Sequence, residues 1–219
     1  MLQENENTFT NCEDVARHRH NAIVQRSFFD SLAPSWRAVA PIDVSKIDEL
    51  LECMQIEEGS RVLDVACGAG VLEESLLKLG AVVDAIDISP LMIEKAKENI
   101  VGGRVNFIVA NFYEYTSDLK YDSILVFDAY PHFFDKASFA SKSAELLRDG
   151  GTLWIFFDES RRGINSHHSD HSVEISVGLE SAEQEAKAFC EAFEIVHIKD
   201  DDNGYCLGLR KRSSAKMAK

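Results

Sequence analysis

Residues 62–70 read Val-Leu-Asp-Val-Ala-Cys-Gly-Ala-Gly, an apolar run that ends in a glycine-rich turn. The next apolar run, Val82-Val83-Asp84-Ala85-Ile86, ends in a second acid, Asp87. A buried strand, a Gly-x-Gly turn and an acid about 20 residues further on form the arrangement by which an α/β fold holds an adenosine-containing cofactor. Glycine at 68 and 70 lets the backbone turn tightly and lets a ligand approach where any Cβ would collide. An acid at the end of the second strand is able to accept hydrogen bonds from both ribose hydroxyls.

Strands and helices alternate outward from this point. The pattern predicts a helix over residues 43–55, with Val44, Ile47, Leu51 and Met54 on one face, then a strand from Arg61 to Ala66. A helix with Leu72, Leu76 and Leu79 inward stops at Gly80, a good residue to follow a helix C-terminus. Val82 to Ile86 is the second strand, and Ser89-Pro90 supplies an N-cap and a proline at the first position of a helix to Asn99. Strands follow at 105–109 and 123–127, then a helix over 136–147. Asp149-Gly150-Gly151 turns the chain into a strand at 152–157. Ser181-x-x-Gln184 reads as a capping box for a helix ending near Phe193, and strands 194–199 and 205–210 flank the turn-rich 200–204 loop. Alternation implies a parallel sheet, and the closing hairpin an antiparallel edge. The expected fold is therefore α/β: a Rossmann-like, doubly wound, mostly parallel seven-stranded sheet with an antiparallel C-terminal hairpin. Its expected organisation is a helical cap at 1–42, a cofactor-binding domain at 43–210 and a basic tail at 211–219.

The turn also discriminates between cofactors. A dinucleotide fingerprint has a third glycine where this chain has Glu73, a carboxylate that would face a pyrophosphate badly. No Gly-Lys-Ser or Gly-Lys-Thr occurs, which excludes a phosphate-binding P-loop. A cofactor without phosphates suits the site better. With Asp64, Gly68, Gly70 and Asp87 in these places, the chain resembles the class I S-adenosylmethionine-dependent methyltransferases over roughly residues 28–210, and within them the bacterial small-molecule group (type 11) that acts in ubiquinone and menaquinone synthesis. The resemblance implies S-adenosylmethionine as cofactor, S-adenosylhomocysteine as product, and in-line transfer of a methyl group to a small molecule.

Composition agrees with one globular domain. The chain has 219 residues, 45% of them hydrophobic, and no apolar stretch approaches the roughly 20 residues of a membrane-spanning helix. It begins Met-Leu-Gln-Glu-Asn-Glu-Asn, unlike a signal peptide, so a cytoplasmic protein is expected. Five cysteines without a Cys-x-x-Cys pair read as buried reduced thiols, with 53, 67 and 190 in apolar contexts. Net charge is −14, although the last ten residues carry five Lys/Arg and no acid. A body this acidic repels polyphosphate backbones, so no nucleic-acid partner is expected, and none in a membrane.

The candidate site residues fall at strand ends. Asn111-Phe112 follows the third strand, where the resemblance implies contacts to adenine, with Ile88 and Phe112 on its two faces. Asn111 stands where the family often has Asp; it still accepts through its carbonyl oxygen. Cys67 sits in the turn itself and reads as a small tolerated residue. After the fourth strand comes Phe127-Asp128-Ala-Tyr130-Pro-His132, a loop that borders the transferred methyl group in related enzymes. Phe127 is then a cofactor neighbour, Tyr130 and His132 are the catalytic candidates, and His132 is either a general base or a structural histidine. After the fifth strand, Ser160-Arg161-Arg162-Gly-Ile164-Asn165-Ser-His167-His168-Ser-Asp-His171 resembles an insert of the bacterial group. Arg161 and His168 are the substrate-binding candidates, Arg161 as a clamp for a carboxylate. The histidines have a spacing that suits a metal, but Ser, Asn and Asp dominate the segment; a solvated lid is simpler, and no metal is assigned. At the N-terminus, Phe29 and Trp36 resemble a segment that closes over the cofactor, and an amphipathic helix packed on the body explains the same aromatics. Two rivals share the sheet: a nicotinamide oxidoreductase, and a non-catalytic S-adenosylmethionine-binding or metal-sensing protein.

Overall fold

Seven strands form one sheet: β1 (Arg61–Val65), β2 (Val82–Asp87), β3 (Val105–Val109), β4 (Tyr121–Phe127), β5 (Leu147–Phe157), β6 (Phe193–Asp201) and β7 (Gly204–Lys211). The computed structural model describes residues 12–36, 44–168 and 175–213. The strand order is β3-β2-β1-β4-β5-β7-β6. Neighbours from β3 through β5 are parallel, while β7 runs antiparallel to both β5 and β6. This is the expected doubly wound sheet with its closing hairpin. Strand order reverses between β1 and β4, so the carboxyl ends of these two strands diverge and open a crevice.

The central strands are buried along nearly their whole length, as a sheet covered on both faces requires. Alternation divides the core in two. Leu63, Val65, Ile124, Val126, Leu153 and Ile155 point to one side with Phe139, Ala182 and Phe189. Val62, Val83, Leu125, Trp154 and Phe156 point to the other with Ile47, Leu51, Leu72 and Leu76. The helices are α1 (Cys12–Leu32), α2 (Val44–Glu52), α3 (Glu73–Lys78), α4 (Pro90–Asn99), α5 (Lys136–Leu146), α6 (Arg161–His168) and the short α7 (Ala182–Glu185), which continues as a 3₁₀ turn, Ala186–Phe189. None of the described helices is long and apolar enough to cross a membrane.

Local signals account for most boundaries. The Gly80 amide donates to Leu77 O and the Ala81 amide to Leu76 O, closing α3 with Gly80 at φ +79°. Ser89 Oγ accepts from the Met92 amide at 3.0 Å, capping α4 as its sequence predicts. Other boundaries differ. Leu79 is exposed, because the turn that ends α3 carries it off the buried face. Asp149-Gly150-Gly151 lies inside β5 at a register shift against β4, so β5 starts at Leu147. The helix expected to run to Phe193 stops earlier, since Phe193 pairs with Lys211 to begin the hairpin. Asp201 faces Gly204, leaving a tighter turn than the expected 200–204 loop. Cys53 and Cys190 are exposed free thiols, whereas Cys67 and Cys206 are buried. Residues 1–11 and 214–219, together with His171, lie outside the described residues.

Gly70 joins the turn to α4. It adopts φ +82°, and a Cβ there would stand 3.2 Å from the Ala96 side chain and 3.3 Å from its Cα. Gly70→Ala is therefore expected to combine left-handed strain with a clash against a helix backbone, costing about 1–3 kcal/mol. A urea titration reads this as a lower midpoint at unchanged slope; an unchanged midpoint would show that α4 yields freely.

Candidate functional site

A cavity of about 830 Å³ opens at the carboxyl ends of β1 to β5 and is covered from outside by α1 and by Trp36, which follows the 3₁₀ turn Ala33–Ser35. Its floor is the glycine turn. Ala66 at φ +61° and Gly68 at φ +55° reverse the chain sharply after β1. The Gly68 amide donates to Asp87 Oδ2 at 2.9 Å, and the Ser89 amide donates to Asp87 Oδ1 at 2.8 Å. Asp87 thus ties together the loops that follow β1 and β2. A carboxylate offers about four acceptor sites, and these amides use one on each oxygen, leaving one on each for a pair of hydroxyls. Burial pushes the Asp87 pKa up to about 6, and the amides from Ser89 and Gly68 pull it back.

Of the expected site residues, Trp36, Cys67, Gly68, Asp87, Ile88, Asn111, Phe112, Phe127 and His132 line this cavity. Trp36 lies over the turn, its indole Nε1 3.7 Å from the point a Gly68 Cβ would occupy. Asn111 Oδ1 accepts from the Tyr113 amide at 3.1 Å, which fixes the side chain and leaves one acceptor site. The Cys67 thiol is pushed up by burial and by the carboxylates of Glu73, Asp87 and Asp64, so it stays protonated and unreactive.

Asp64 and Gly70 belong to the underside of the turn and do not line the cavity. Asp64 is 1% exposed and Glu73 wholly buried. Among the described residues Asp64 Oδ2 and both Glu73 carboxyl oxygens have no well-formed hydrogen bond, although the Leu72 and Glu73 amides and the Asp64 carboxyl lie beside Glu73. Burial, then the charge of Glu73, raises the Asp64 pKa well above the carboxylate range, and burial raises that of Glu73 to about 7. A proton shared between the two carboxyls satisfies both. At the third-glycine position of the dinucleotide fingerprint there is thus an acid, buried beside another acid, where a pyrophosphate would find no positive partner.

His132 is held from two sides. Its Nδ1 lies 2.8 Å from Ile175 O, so Nδ1 carries the proton and Nε2 is the acceptor of the neutral ring. Gln25 Nε2 on α1 donates to His132 O at 2.7 Å and to Ile175 O at 3.2 Å. The Phe29 ring meets the imidazole edge-on with centroids 5.0 Å apart.

Two expectations are corrected. Tyr130 is wholly buried and packs on Phe139 and Phe189, because the 3₁₀ turn Tyr130–His132 rotates its ring into the core. Lys136 Nζ lies 3.4 Å from the Tyr130 ring centroid and donates to Tyr130 O at 2.9 Å; burial lowers its pKa to about 8. Arg161 does not line the cavity either. Its Nε donates to both Asp200 oxygens, at 3.0 and 3.3 Å, and so anchors α6 to β6. The side chain of His168 lies outside the described residues. His167 takes the cavity position instead, with Nε2 3.3 Å from Glu159 Oε2.

Asp128, Asp158 and Glu159, absent from the expected site residues, bring carboxylates to the cavity wall. All three directly follow strands β4 and β5, and that strand-end position was the signal for them. Asp128 adopts φ +50° and is an exposed residue on the cavity lining. Gln25 carried no local signal, since only the tertiary placement of α1 gives it a role. Among the described residues, no group of three or more His, Cys, Asp or Glu is arranged to hold a metal.

Comparison with known proteins gives the same picture. Residues 62–151 match the family model described as a methyltransferase domain. Over 165 residues the chain is 29% identical to a ubiquinone biosynthesis O-methyltransferase of Hydrogenovibrio crunogenus, covering 70% of this chain and 67% of that protein. It spans about half of other curated relatives, such as the corresponding protein of Xanthomonas euvesicatoria, at 49% of its length. Magnesium protoporphyrin IX methyltransferase from Synechocystis PCC 6803, solved with S-adenosylhomocysteine, shares the fold at a TM-score of 0.67 and 19% identity, over 88% of this chain and all of that one.

The acids beneath the turn predict a pH dependence of stability. Glu73 has a folded-state pKa raised above its unfolded value, so between the two the folded state binds more protons than the unfolded one. Stability is then fully present at pH 4 and lost as pH rises through about 7. Glu73→Gln is expected to raise the stability of the ligand-free protein at pH 8 by about 1–3 kcal/mol and to change little at pH 4. Thermal melts at the two pH values test this; an equal change at both would remove the titration from the account.

Proposed function

The chain belongs to the class I S-adenosylmethionine-dependent methyltransferases, and on that footing we propose that it methylates a small, uncharged or cationic acceptor. When bound, S-adenosylmethionine supplies an electrophilic methyl group on a sulfonium. The observation that carries the reading is Asp87, buried at the end of β2 with both oxygens oriented by backbone amides and still able to accept hydroxyls. Asp87 would hold the ribose, Gly68 would give backbone access, and Ile88, Asn111 and Phe112 would receive the adenine. Trp36 and Phe29, on the cavity's outer wall, would exclude water.

The charge of the wall favours the acceptor class. Asp128, Asp158 and Glu159 face the cavity against one lysine of its lining, Lys46, whose Nζ lies 3.5 Å from Asp158 O, while Arg161 is committed to Asp200. An anionic acceptor would meet repulsion; a phenol or an amine would not. His132, with Nδ1 committed as donor to Ile175 O, is the group suited to accept a proton through Nε2 when the acceptor arrives protonated. The remaining work of the residues is to position and to exclude water, since positive charge disperses as the methyl group moves. A nicotinamide cofactor is disfavoured by the paired acids beneath the turn.

Calorimetric titration with S-adenosylhomocysteine tests the cofactor assignment. Asp87→Ala is expected to weaken binding by roughly ten- to a hundredfold, the worth of hydrogen bonds to a charged acceptor. Binding that is unchanged in the mutant would remove Asp87 from the site. With labelled methyl donor and a panel of phenols and amines, His132→Ala is expected to lower turnover more than cofactor affinity. Cofactor binding without turnover on any acceptor would favour a non-catalytic S-adenosylmethionine-binding protein.

A further inference from the structure

Asp30 lies on α1, outside the cavity, yet it is hydrogen-bonded to the corner where Asp87 sits. Ser89 Oγ donates to Asp30 Oδ1 at 2.6 Å, and the Leu91 amide points to the same oxygen at 3.4 Å. Ser89 has a single hydroxyl proton, and it goes to Asp30; the oxygen meanwhile accepts from the Met92 amide, and the Ser89 amide donates to Asp87. On the other side of the same carboxylate, the Gly68 amide donates to Asp87 Oδ2, and Trp36 covers Gly68. Both amides that orient Asp87 therefore come from residues that the N-terminal segment touches, at Asp30 and at Trp36.

Resting on the S-adenosylmethionine reading above, we propose that Asp30 is a positioning residue that fastens α1 to the ribose corner, making closure of this helix and cofactor binding mutually dependent. A ligand held by Asp87 stabilises the loop that presents Ser89, and a fixed Ser89 holds Asp30; by linkage a fastened α1 must raise ligand affinity by the same factor. The Asp30 side chain is 27% exposed, so its replacement is not a core substitution.

Limited trypsin digestion reads the state of α1 directly, because Arg26 stands one turn before Asp30 and its side chain is 54% exposed. In the full-length wild-type protein, S-adenosylhomocysteine is expected to slow cleavage after Arg26. In Asp30→Ala the unliganded protein is cut faster, affinity falls by about tenfold, and saturating ligand no longer protects. Asp30→Asn, which keeps an oxygen acceptor toward Ser89, retains most of the affinity and the protection. Unchanged affinity in Asp30→Ala, or protection as strong as in the wild type at saturation, overturns the inference. A wild-type protein that fails to bind S-adenosylhomocysteine would overturn the cofactor reading instead; because Arg26 Nε lies 3.8 Å from Asp30 Oδ2 and Asp30→Asn loses that ion pair too, faster cleavage of unliganded Asp30→Ala than of unliganded Asp30→Asn would still establish the fastening.

Discussion

A single buried carboxylate, that of Asp87, joins the parts on which the cavity depends. Its two oxygens accept from Gly68 and Ser89, which stand at the ends of different strands. Those bonds set the height of the glycine turn against the start of α4, and the missing Cβ of Gly70 lets Ala96 of α4 pack directly against the turn. Burying an acid in this way is costly, and the elevated pKa of Asp87 records that cost. Proteins tolerate such strain at functional sites, where a preorganised charged acceptor is of use.

The same economy runs through the rest of the cavity. Asp64 and Glu73 lie beneath the turn, Asp128, Asp158 and Glu159 line the wall, and none of these acids has an arginine beside it in the cavity. A pocket of this character selects ligands by charge before it selects by shape. On the proposed function, such a wall favours a sulfonium and a neutral or cationic partner over phosphates and carboxylates.

The far side of the cavity is built by association of segments distant in sequence. Gln25 on α1 holds the carbonyls of both His132 and Ile175, which in turn accepts from the His132 ring. The orientation of the one imidazole with a stated chemical role thus depends on three segments at once. On the opposite face, Asn165 fixes the backbone of Leu179 through Nδ2 to its carbonyl and Oδ1 from its amide, while Arg161 anchors α6 to β6. The conspicuous Arg and Asn of the 160–171 segment serve its attachment, and Ile164 and His167 are its faces toward the cavity.

The strands, the glycine turn, Asp87 and the caps at Ser89 and Gly80 were legible in the sequence because each rests on local physics: alternation of burial, left-handed glycine, or a side chain that bonds an amide three residues away. The sheet order followed from these once parallel strands and a closing hairpin were recognised. Rotation of side chains was not legible. Tyr130 and His132 lie two residues apart in one 3₁₀ turn, and only its packing on Phe139 and Phe189 decides that the tyrosine enters the core while the histidine faces the cavity. Nor does spacing show that Arg161 meets Asp200 or that Asp30 meets Ser89, since these partners are brought together by the sheet and by the docking of α1. The sequence by itself determined which elements form and where the glycine turn and Asp87 meet; the tertiary structure decided which charges face the cavity, because only packing of distant segments settles which side chains are drawn into partnerships elsewhere.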